Sequence, residues 1–220
     1  MSSPDVVKLR RTSDATAILT LARPDRRNAI NSQMAAEVAD AVATIQEWGV
    51  LVATLDAEGP AFCAGVDLAE LETGGAALDS IVESLLAAPV HWTATVQGAA
   101  RGGALAILAV CPRVLAGASS SFGLPELSQG FFPTDLMSTQ VASVGARQAF
   151  DLAFSAAPID ATRALHIGLV SEVVADDELD DHATALTAAL ATASPDGLRA
   201  GVAAWQATAR MAVPPADSDA

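Results

Sequence analysis

Residues 59–68 read Gly-Pro-Ala-Phe-Cys-Ala-Gly-Val-Asp-Leu, a stretch in which a Gly-Pro turn is followed by a loop around Gly65. Glycine adopts backbone conformations that other residues avoid, so Gly65 allows a tight turn into a short helix at Asp67. Such a turn aims the Val66 N–H outward at the start of that helix, where backbone N–H groups bind negative charge. The stretch therefore predicts a tight turn into a short helix and an exposed backbone donor.

A second glycine-rich stretch, Val-Gln-Gly-Ala-Ala-Arg-Gly-Gly-Ala-Leu-Ala, occupies residues 96–106. Its Gly102 and Gly103 open an apolar helix and expose backbone N–H groups at the helix start in the same way. Two such N–H groups that converge on one oxygen form an oxyanion hole. The two stretches together predict a catalytic site, although each glycine turn taken alone is also explained as an ordinary structural turn.

The first 145 residues alternate between strand and helix patterns. The strand patterns lie at residues 6–9, 17–22, 50–55, 93–96 and 113–116, and the helix patterns lie at residues 31–48, 76–87 and 104–110. Asn31 or Ser32 caps the first of these helices. Because the rhythm of two strands and one helix recurs twice without sequence repetition, we predict an α/β fold built as a spiral of ββα units.

Helix patterns dominate after about Thr134. We predict a short helix capped by Asp160, a lone strand at residues 169–174, and helices at residues 176–193 and 195–210. No linker interrupts the chain, so the prediction is a single domain over residues 1–212. It consists of a ββα spiral core to about residue 145 and a helical C-terminal part over about 146–212. The Pro- and Asp-rich residues 213–220 are predicted to be a disordered tail.

Composition excludes several classes of protein. The chain has 220 residues, of which 51% are hydrophobic, so an intrinsically disordered protein is excluded. Its 26 acidic and 12 basic residues give a net charge of −14, which speaks against nucleic acid or an anionic membrane as partner. The longest apolar run, residues 104–111, is far shorter than the roughly 20 residues of a membrane-spanning helix.

Two cysteines and three histidines offer no metal site. Cys63 and Cys111 are too few for a disulfide scaffold or a cysteine-ligated zinc ion, and the histidines lie far apart without a ligand spacing. We therefore expect no metal. The N-terminal residues lack the apolar segment of a signal peptide, so the sequence predicts a cytoplasmic protein.

Five motifs in register resemble the enoyl-CoA hydratase/isomerase (crotonase) family. Two of the motifs are the glycine-rich stretches described above. The other three are Ile-Leu-Thr-Leu-Ala-Arg-Pro-Asp-Arg-Arg-Asn-Ala-Ile-Asn at residues 18–31, Phe-Gly-Leu-Pro-Glu-Leu-Ser-Gln-Gly at 122–130, and Gly-Leu-Val at 168–170. The resemblance covers roughly residues 5–210. It implies a crotonase-like fold and an acyl-CoA thioester as substrate. It also implies no permanently bound cofactor, because coenzyme A enters as part of the substrate.

The resemblance assigns the oxyanion hole to Val66 and Gly103 and a catalytic glutamate to Glu126. Hydratases of the family use a second glutamate at the position of Ala106, and alanine cannot transfer a proton. One base is enough to move a proton from C2 to C4 of a 3-enoyl-CoA, as in the family's isomerases, and a carboxylate in an apolar pocket has a raised pKa that suits this task. Isomerisation is therefore the leading hypothesis. The alternatives are a hydratase with an incomplete glutamate pair and a non-catalytic acyl-CoA-binding protein, and Glu126 itself could be a capping or surface carboxylate.

The resemblance also places coenzyme A contacts on the first two motifs. They fall at Arg26, Arg27, Ala29, Ala64, Asp67 and Leu68. The alternative for the two arginines is a solvated turn. Asp135 is a candidate second acid, but Pro133-Thr134-Asp135 is better explained as a helix start that Thr134 caps.

Two further expectations about assembly come from the resemblance. It implies a homotrimer or a dimer of trimers, with the C-terminal helices packed between subunits. Family members usually continue with further helices after the position of Arg210, so we expect the lid over the site to be missing or supplied by a neighbouring subunit.

Overall fold

Two β-sheets and seven α-helices make up residues 5–213, which are the residues that the computed structural model describes. The strands are β1 (Val7–Arg11), β2 (Thr16–Leu21), β3 (Val52–Ala57), β4 (Ala61–Cys63), β5 (His91–Val96), β6 (Ala99–Arg101), β7 (Arg113–Gly117), β8 (Ser121–Gly123), β9 (Ile159–Asp160) and β10 (Glu172–Val174). The helices are α1 (Ser32–Glu47), α2 (Leu71–Ala87), α3 (Gly103–Ala109), α4 (Met137–Ser155), α5 (Ala161–His166), α6 (Leu179–Ala191) and α7 (Pro195–Arg210). This architecture confirms the predicted α/β class.

The larger sheet has the strand order β1-β2-β3-β5-β7-β10. Only β1 and β2 pair antiparallel, and the other neighbours are parallel. Parallel strands are covered on both faces and therefore consist of nearly continuous buried residues, as β3 and β5 do. The strand patterns of the sequence predict each of these six strands to within a few residues. The exception is β10, which is shorter than predicted because Leu169 bonds back to Ala164 after the Gly168 turn.

The smaller sheet, in the order β4-β6-β8-β9, is absent from the sequence-based prediction. Its strands have two or three residues each, which is too short for an alternating pattern to be recognised. Gly98 (φ +73°) lets two of them meet, because a Cβ at this position would collide with the Pro60 carbonyl oxygen. This sheet positions the site: β4 ends just before the Gly65 turn, and β6 ends just before Gly102.

Local chemistry explains where most helices begin. The Asn31 side chain accepts a hydrogen bond from the Met34 N–H at 3.0 Å, which confirms the predicted cap of α1. Asp160 caps α5 in the same way, accepting from the Arg163 N–H at 2.7 Å. The start of α6 is later than predicted because the side chain of Asp176 turns away to accept the Ser119 N–H at 3.0 Å.

The last helix, α7, packs on its own chain. The Trp205 indole N–H donates to the Val110 carbonyl at 3.0 Å, and the Gln206 amide donates to the Ala88 carbonyl at 2.7 Å. Both bonds fix α7 against the ends of α3 and α2. Apart from Val213, the predicted disordered tail lies outside the described residues. Within residues 5–213, no helix combines the length and the apolar character needed to cross a membrane.

Candidate active site

The two glycine turns and one carboxylate meet at a single point. A Cβ added to Gly65 (φ +89°) would lie 3.0 Å from the Arg101 carbonyl oxygen and 3.5 Å from the Gly103 nitrogen. A Cβ added to Gly102 (φ +54°) would lie 2.5 Å from Glu126 Oε1 and 3.9 Å from the Gly65 Cα. Both turns therefore need glycine for the backbone conformation and for the close approach.

Val66 and Gly103 present the two backbone donors. The residues on either side of Val66 are fixed to Ile30, since the Ile30 N–H donates to the Gly65 carbonyl and the Asp67 N–H donates to the Ile30 carbonyl, both at 2.8 Å. Gly103 is the first residue of α3, where N–H groups have no partner within the helix. Among the described residues, neither the Val66 N–H nor the Gly103 N–H has a hydrogen-bond acceptor. Both are available to an oxygen of a ligand.

The Glu126 carboxylate is buried, and one of its two oxygens has no partner within residues 5–213. Glu126 opens a short 3₁₀-helix after Pro125 and is only 8% exposed. Its Oε2 has no hydrogen-bond donor in the described part of the chain. Burial raises the pKa of this carboxyl group, in the direction that the sequence predicts, and its own backbone N–H opposes the shift. Glu126 is therefore not a surface carboxylate, and its carboxylate has a higher proton affinity than that of an exposed glutamate.

All the site residues that the sequence predicts line one open cavity of about 1160 Å³. They are Glu126, Val66, Gly103, Arg26, Arg27, Ala29, Ala64, Asp67 and Leu68. Ala106, one turn along α3 from Gly103, also lines it, so this part of the wall is apolar where a second glutamate would stand. On α2, Gly74 contacts the Val66 side chain so closely that a Cβ there would collide with it.

Two further carboxylates in the cavity wall, those of Asp79 and Asp135, lie near each other. Asp79 comes from α2 and was not recognised in the sequence, and Asp135 comes from the segment before α4. The pKa of Asp79 is raised by desolvation of the Asp79 carboxyl group and, to a smaller extent, by the negative charge of the nearby Asp135. The predicted Thr134 cap is wrong: Pro133 occupies the cap position and has no side-chain acceptor, while the Thr134 N–H donates to the Phe132 carbonyl at 2.8 Å.

Arg26 and Arg27 lie exposed at the edge of the cavity, in a 3₁₀ turn. Neither guanidinium forms a hydrogen bond or an ion pair with another described residue. The Ala64 N–H donates to the Arg27 carbonyl at 3.0 Å, which joins the first motif to the second. Leu68 is 64% exposed and offers an apolar surface beside the two cations.

A buried asparagine, missed in the sequence, holds this turn. Asn28 has a left-handed backbone conformation (φ 54°), which asparagine tolerates better than most residues. Its Oδ1 accepts from the Arg23 N–H at 2.8 Å, and its Nδ2 donates to the carbonyls of Glu58 and Ala61, each at 2.9 Å. Three hydrogen bonds from one side chain thus fix the segment that carries the two arginines.

The Asp67 carboxylate is engaged inside the protein. Its Oδ2 accepts from Arg23 Nη1 at 2.6 Å, and its Oδ1 accepts from the Ala69 N–H at 3.1 Å. These two contacts hold the pKa of Asp67 below its usual range, the Ala69 N–H having the larger effect. Asp67 lines the cavity, but its charged group faces Arg23. The sequence does not reveal this pairing, since the partners are 44 residues apart.

The end of α7 forms part of the cavity wall. Arg210 Nη2 lies 2.8 Å from Glu83 Oε1 on α2, and both residues line the cavity together with Val213. Some of the cover over the site therefore comes from the same chain, which the sequence did not predict.

A protein-family model described as enoyl-CoA hydratase/isomerase matches residues 11–218 of the chain. The chain belongs to the enoyl-CoA hydratase/isomerase family. The match spans every motif on which the resemblance was based, and so the predicted family is confirmed.

Individual proteins and solved structures of the family are similar to this chain in sequence and in fold. The chain is 30% identical over 195 residues to enoyl-CoA hydratase domain-containing protein 3, mitochondrial, of Rattus norvegicus, covering 84% of this chain and 65% of the rat protein. It is 31% identical to mevalonyl-coenzyme A hydratase sidH of Aspergillus fumigatus, over 83% of this chain and 71% of that protein. The crystal structure of an enoyl-CoA hydratase from Mycobacterium smegmatis superposes with a TM-score of 0.85 at 26% identity, over 96% of this chain and 90% of that one. The crotonase-like fold is thereby confirmed.

Proposed function

We propose that the protein isomerises a 3-enoyl-CoA thioester to the 2-enoyl-CoA. Glu126 is the single acid/base, and the N–H groups of Val66 and Gly103 form the oxyanion hole. One observation carries this proposal: a buried carboxylate with one oxygen unpartnered among the described residues stands beside both glycine turns, in a cavity where Ala106 supplies no second glutamate.

The reaction needs one proton acceptor and one site for negative charge. Glu126 removes a proton from C2, and the charge moves to the thioester oxygen, where the two backbone N–H groups stabilise it. The protonated Glu126 returns the proton at C4, so no other reactant is consumed. Removal of one such donor costs about 3–4 kcal/mol of transition-state stabilisation. The pKa of Glu126 is raised towards that of the carbon acid at C2, which favours the proton transfer.

The coenzyme A portion of the substrate is assigned to the edge of the cavity. Arg26 and Arg27 supply cations for its phosphates, and the small side chains of Ala29 and Ala64 leave room for the nucleotide beside them. A chain of net charge −14 repels a polyanion at long range, so these local contacts have to hold it. No permanently bound cofactor is part of the proposal.

Hydration of a 2-enoyl-CoA is the second candidate. The relative from Aspergillus fumigatus is named a hydratase, and the one from Rattus norvegicus is named for an enoyl-CoA hydratase domain. The carboxylates of Asp79 and Asp135 line the cavity that holds Glu126. Either aspartate could activate a water molecule in place of the glutamate missing at Ala106.

Turnover of two substrates separates these candidates. We expect the wild-type protein to convert 3-hexenoyl-CoA to the 2-enoyl isomer and Glu126→Gln, which keeps the size but cannot accept the proton, to lose this activity. Glu47→Gln, at the exposed end of α1, is the matched control that makes the same substitution outside the cavity. Isomerisation by Glu126→Gln at the wild-type rate refutes the mechanism.

Each other outcome selects an alternative. Hydration of crotonyl-CoA that is lost in Glu126→Gln and in Asp79→Asn or Asp135→Asn identifies a hydratase. Tight binding of both thioesters without conversion identifies a non-catalytic acyl-CoA-binding protein.

A homotrimer or a dimer of trimers is part of the proposal. Phe132, Phe150 and Phe154 stack on the surface with ring centroids 5.0–6.2 Å apart, and Phe154 is 63% exposed. An exposed aromatic cluster of this kind is typical of a protein interface. Light scattering of the purified protein tests the subunit number.

The cytoplasmic location stays a prediction of the sequence.

A further inference from the structure

A buried ion pair lies directly behind the proposed oxyanion donor Val66. Arg23 Nη1 is 2.6 Å from Asp67 Oδ2, and the two side chains are only 15% and 10% exposed. Charges removed from water to this extent interact strongly, and loss of one partner leaves the other uncompensated. Asp67 is the next residue in the chain after Val66. A change in the position or charge of the Asp67 carboxylate therefore affects the Val66 N–H.

Arg23 also ties together the two segments that orient Val66. The same Nη1 donates to the Ala29 carbonyl at 3.0 Å. The following residue, Ile30, makes the two backbone hydrogen bonds that fix Gly65 and Asp67 on either side of Val66. One guanidinium therefore holds both the Asp67 side chain and the strand segment against which the Val66 peptide is aligned.

The charge of Asp67 gives the pair a second effect. An uncompensated carboxylate one residue from the oxyanion hole would oppose the negative charge that develops on the thioester oxygen. Arg23 is in direct contact with this carboxylate, Arg26 adds a weaker attraction, and the Glu70 carboxylate is close enough to interact with it unfavourably. Of these two cations, Arg23 makes the larger contribution to compensating the Asp67 carboxylate.

We propose that Arg23 is a positioning residue for the oxyanion hole, which keeps the Val66 N–H aimed into the cavity and neutralises Asp67. This inference rests on the proposed assignment of Val66 as an oxyanion donor. It assigns Arg23 an effect on the transition state that is separate from coenzyme A binding, because the Arg23 guanidinium is engaged inside the protein and Arg26 and Arg27 are not.

The kinetic test uses four variants of the full chain. We expect Arg23→Met to lower kcat by about 10- to 100-fold, a large part of what loss of one oxyanion donor costs, with KM changed by at most about threefold. Arg23→Lys keeps the charge and should retain part of the activity. The double variant Arg23→Met/Asp67→Asn removes the uncompensated carboxylate and should recover part of the lost kcat. Arg113→Met is the matched control, since it breaks an arginine–glutamate ion pair (2.9 Å) at the far edge of the larger sheet.

A spectroscopic measurement makes the inference independent of turnover. The probe is butyryl-CoA labelled with ¹³C at the thioester carbonyl, whose stretching frequency falls when the oxygen accepts hydrogen bonds. We expect the wild-type protein and Arg113→Met to lower this frequency, and Arg23→Met to lose most of the shift.

The outcomes separate the two proposals. Arg23→Met with the wild-type carbonyl shift and kcat overturns the inference while the proposed function stands. If the double variant recovers neither kcat nor the carbonyl shift, Arg23 does not act by neutralising Asp67 and only supports the fold. This result also overturns the inference. A wild-type carbonyl shift without turnover of any enoyl-CoA refutes the proposed function and leaves the role of Arg23 intact. A wild-type protein that produces no shift refutes both.

Discussion

Replacement of Gly102 by alanine tests the geometry on which the site is built. The new Cβ would lie 2.5 Å from Glu126 Oε1, and ordinary contacts of this kind begin at 3.4 Å, so the carboxylate oxygen has to move by about 0.9 Å. A misplacement of about 1 Å in a catalytic group can cost about 100-fold in rate. We therefore expect Gly102→Ala to lower kcat for isomerisation by about two orders of magnitude.

The same substitution also strains the backbone, and the strain has to be separated from the collision. A residue other than glycine at φ +54° costs about 1–3 kcal/mol, which for a chain of this length lowers Tm by roughly 2–12 °C. Gly49 is the matched control, because it also has a positive φ (+69°) but an added Cβ would meet nothing within 4 Å. Gly49→Ala should lose stability and keep its activity.

Initial rates with 3-hexenoyl-CoA, together with thermal unfolding of both variants, decide the outcome. A folded Gly102→Ala protein with the wild-type kcat would show that neither the Glu126 carboxylate nor the adjacent Gly103 N–H acts from the position seen in the structure. If both alanine variants lose activity equally, the loss comes from strain and the argument from the 2.5 Å approach fails.

Two further predictions concern the missing glutamate and the titration of the one that is present. Ala106→Glu places a second carboxylate in the cavity wall and should raise the rate of crotonyl-CoA hydration above that of Ala106→Gln; equal rates would mean that this position does not face the reacting carbons. Glu126 has to be ionised to accept a proton, so kcat/KM should fall as the pH is lowered through its raised pKa, above the ordinary 4.5. Because the folded state holds this proton more tightly than the unfolded state does, ionisation of Glu126 destabilises the fold as the pH rises above 4.5. Glu126→Gln should therefore have a higher Tm than the wild type at pH 7 and the same Tm at a pH well below 4.5; a lower Tm at pH 7 would contradict the burial argument.

The parts of the fold that were predictable are those whose cause is local. The cap of α1 at Asn31 and the cap of α5 at Asp160 follow from one side chain and the backbone N–H three residues later. The strands of the larger sheet follow from apolar runs of about five residues. The smaller sheet could not be found this way, since a strand such as β4 has three residues and is defined by its neighbours.

The site shows the same division. Gly65 and Gly102 could be predicted from the sequence, because glycine before a helix start indicates a tight turn that other residues avoid. The contact of Gly102 with Glu126 joins residues 24 positions apart and became visible only in three dimensions. Asp79 was missed for a related reason: in the sequence it is a single acidic residue within a helix pattern, and only the position of α2 at the cavity brings it towards Asp135.

The three arginines of residues 23–27 show how one short segment can serve two purposes. The resemblance assigned coenzyme A contacts to Arg26 and Arg27 and gave Arg23 no role, and burial separates Arg23 from the other two. Arg23 is turned inward and compensates the carboxylate next to the oxyanion donor, whereas Arg26 and Arg27 are exposed and lack a partner among the described residues. In a chain with a net charge of −14, a cation that already neutralises a buried carboxylate adds little attraction for a phosphate. In the proposed mechanism, the binding of a polyanionic thioester then depends on the two exposed arginines, and the stabilisation of its enolate depends on the buried one.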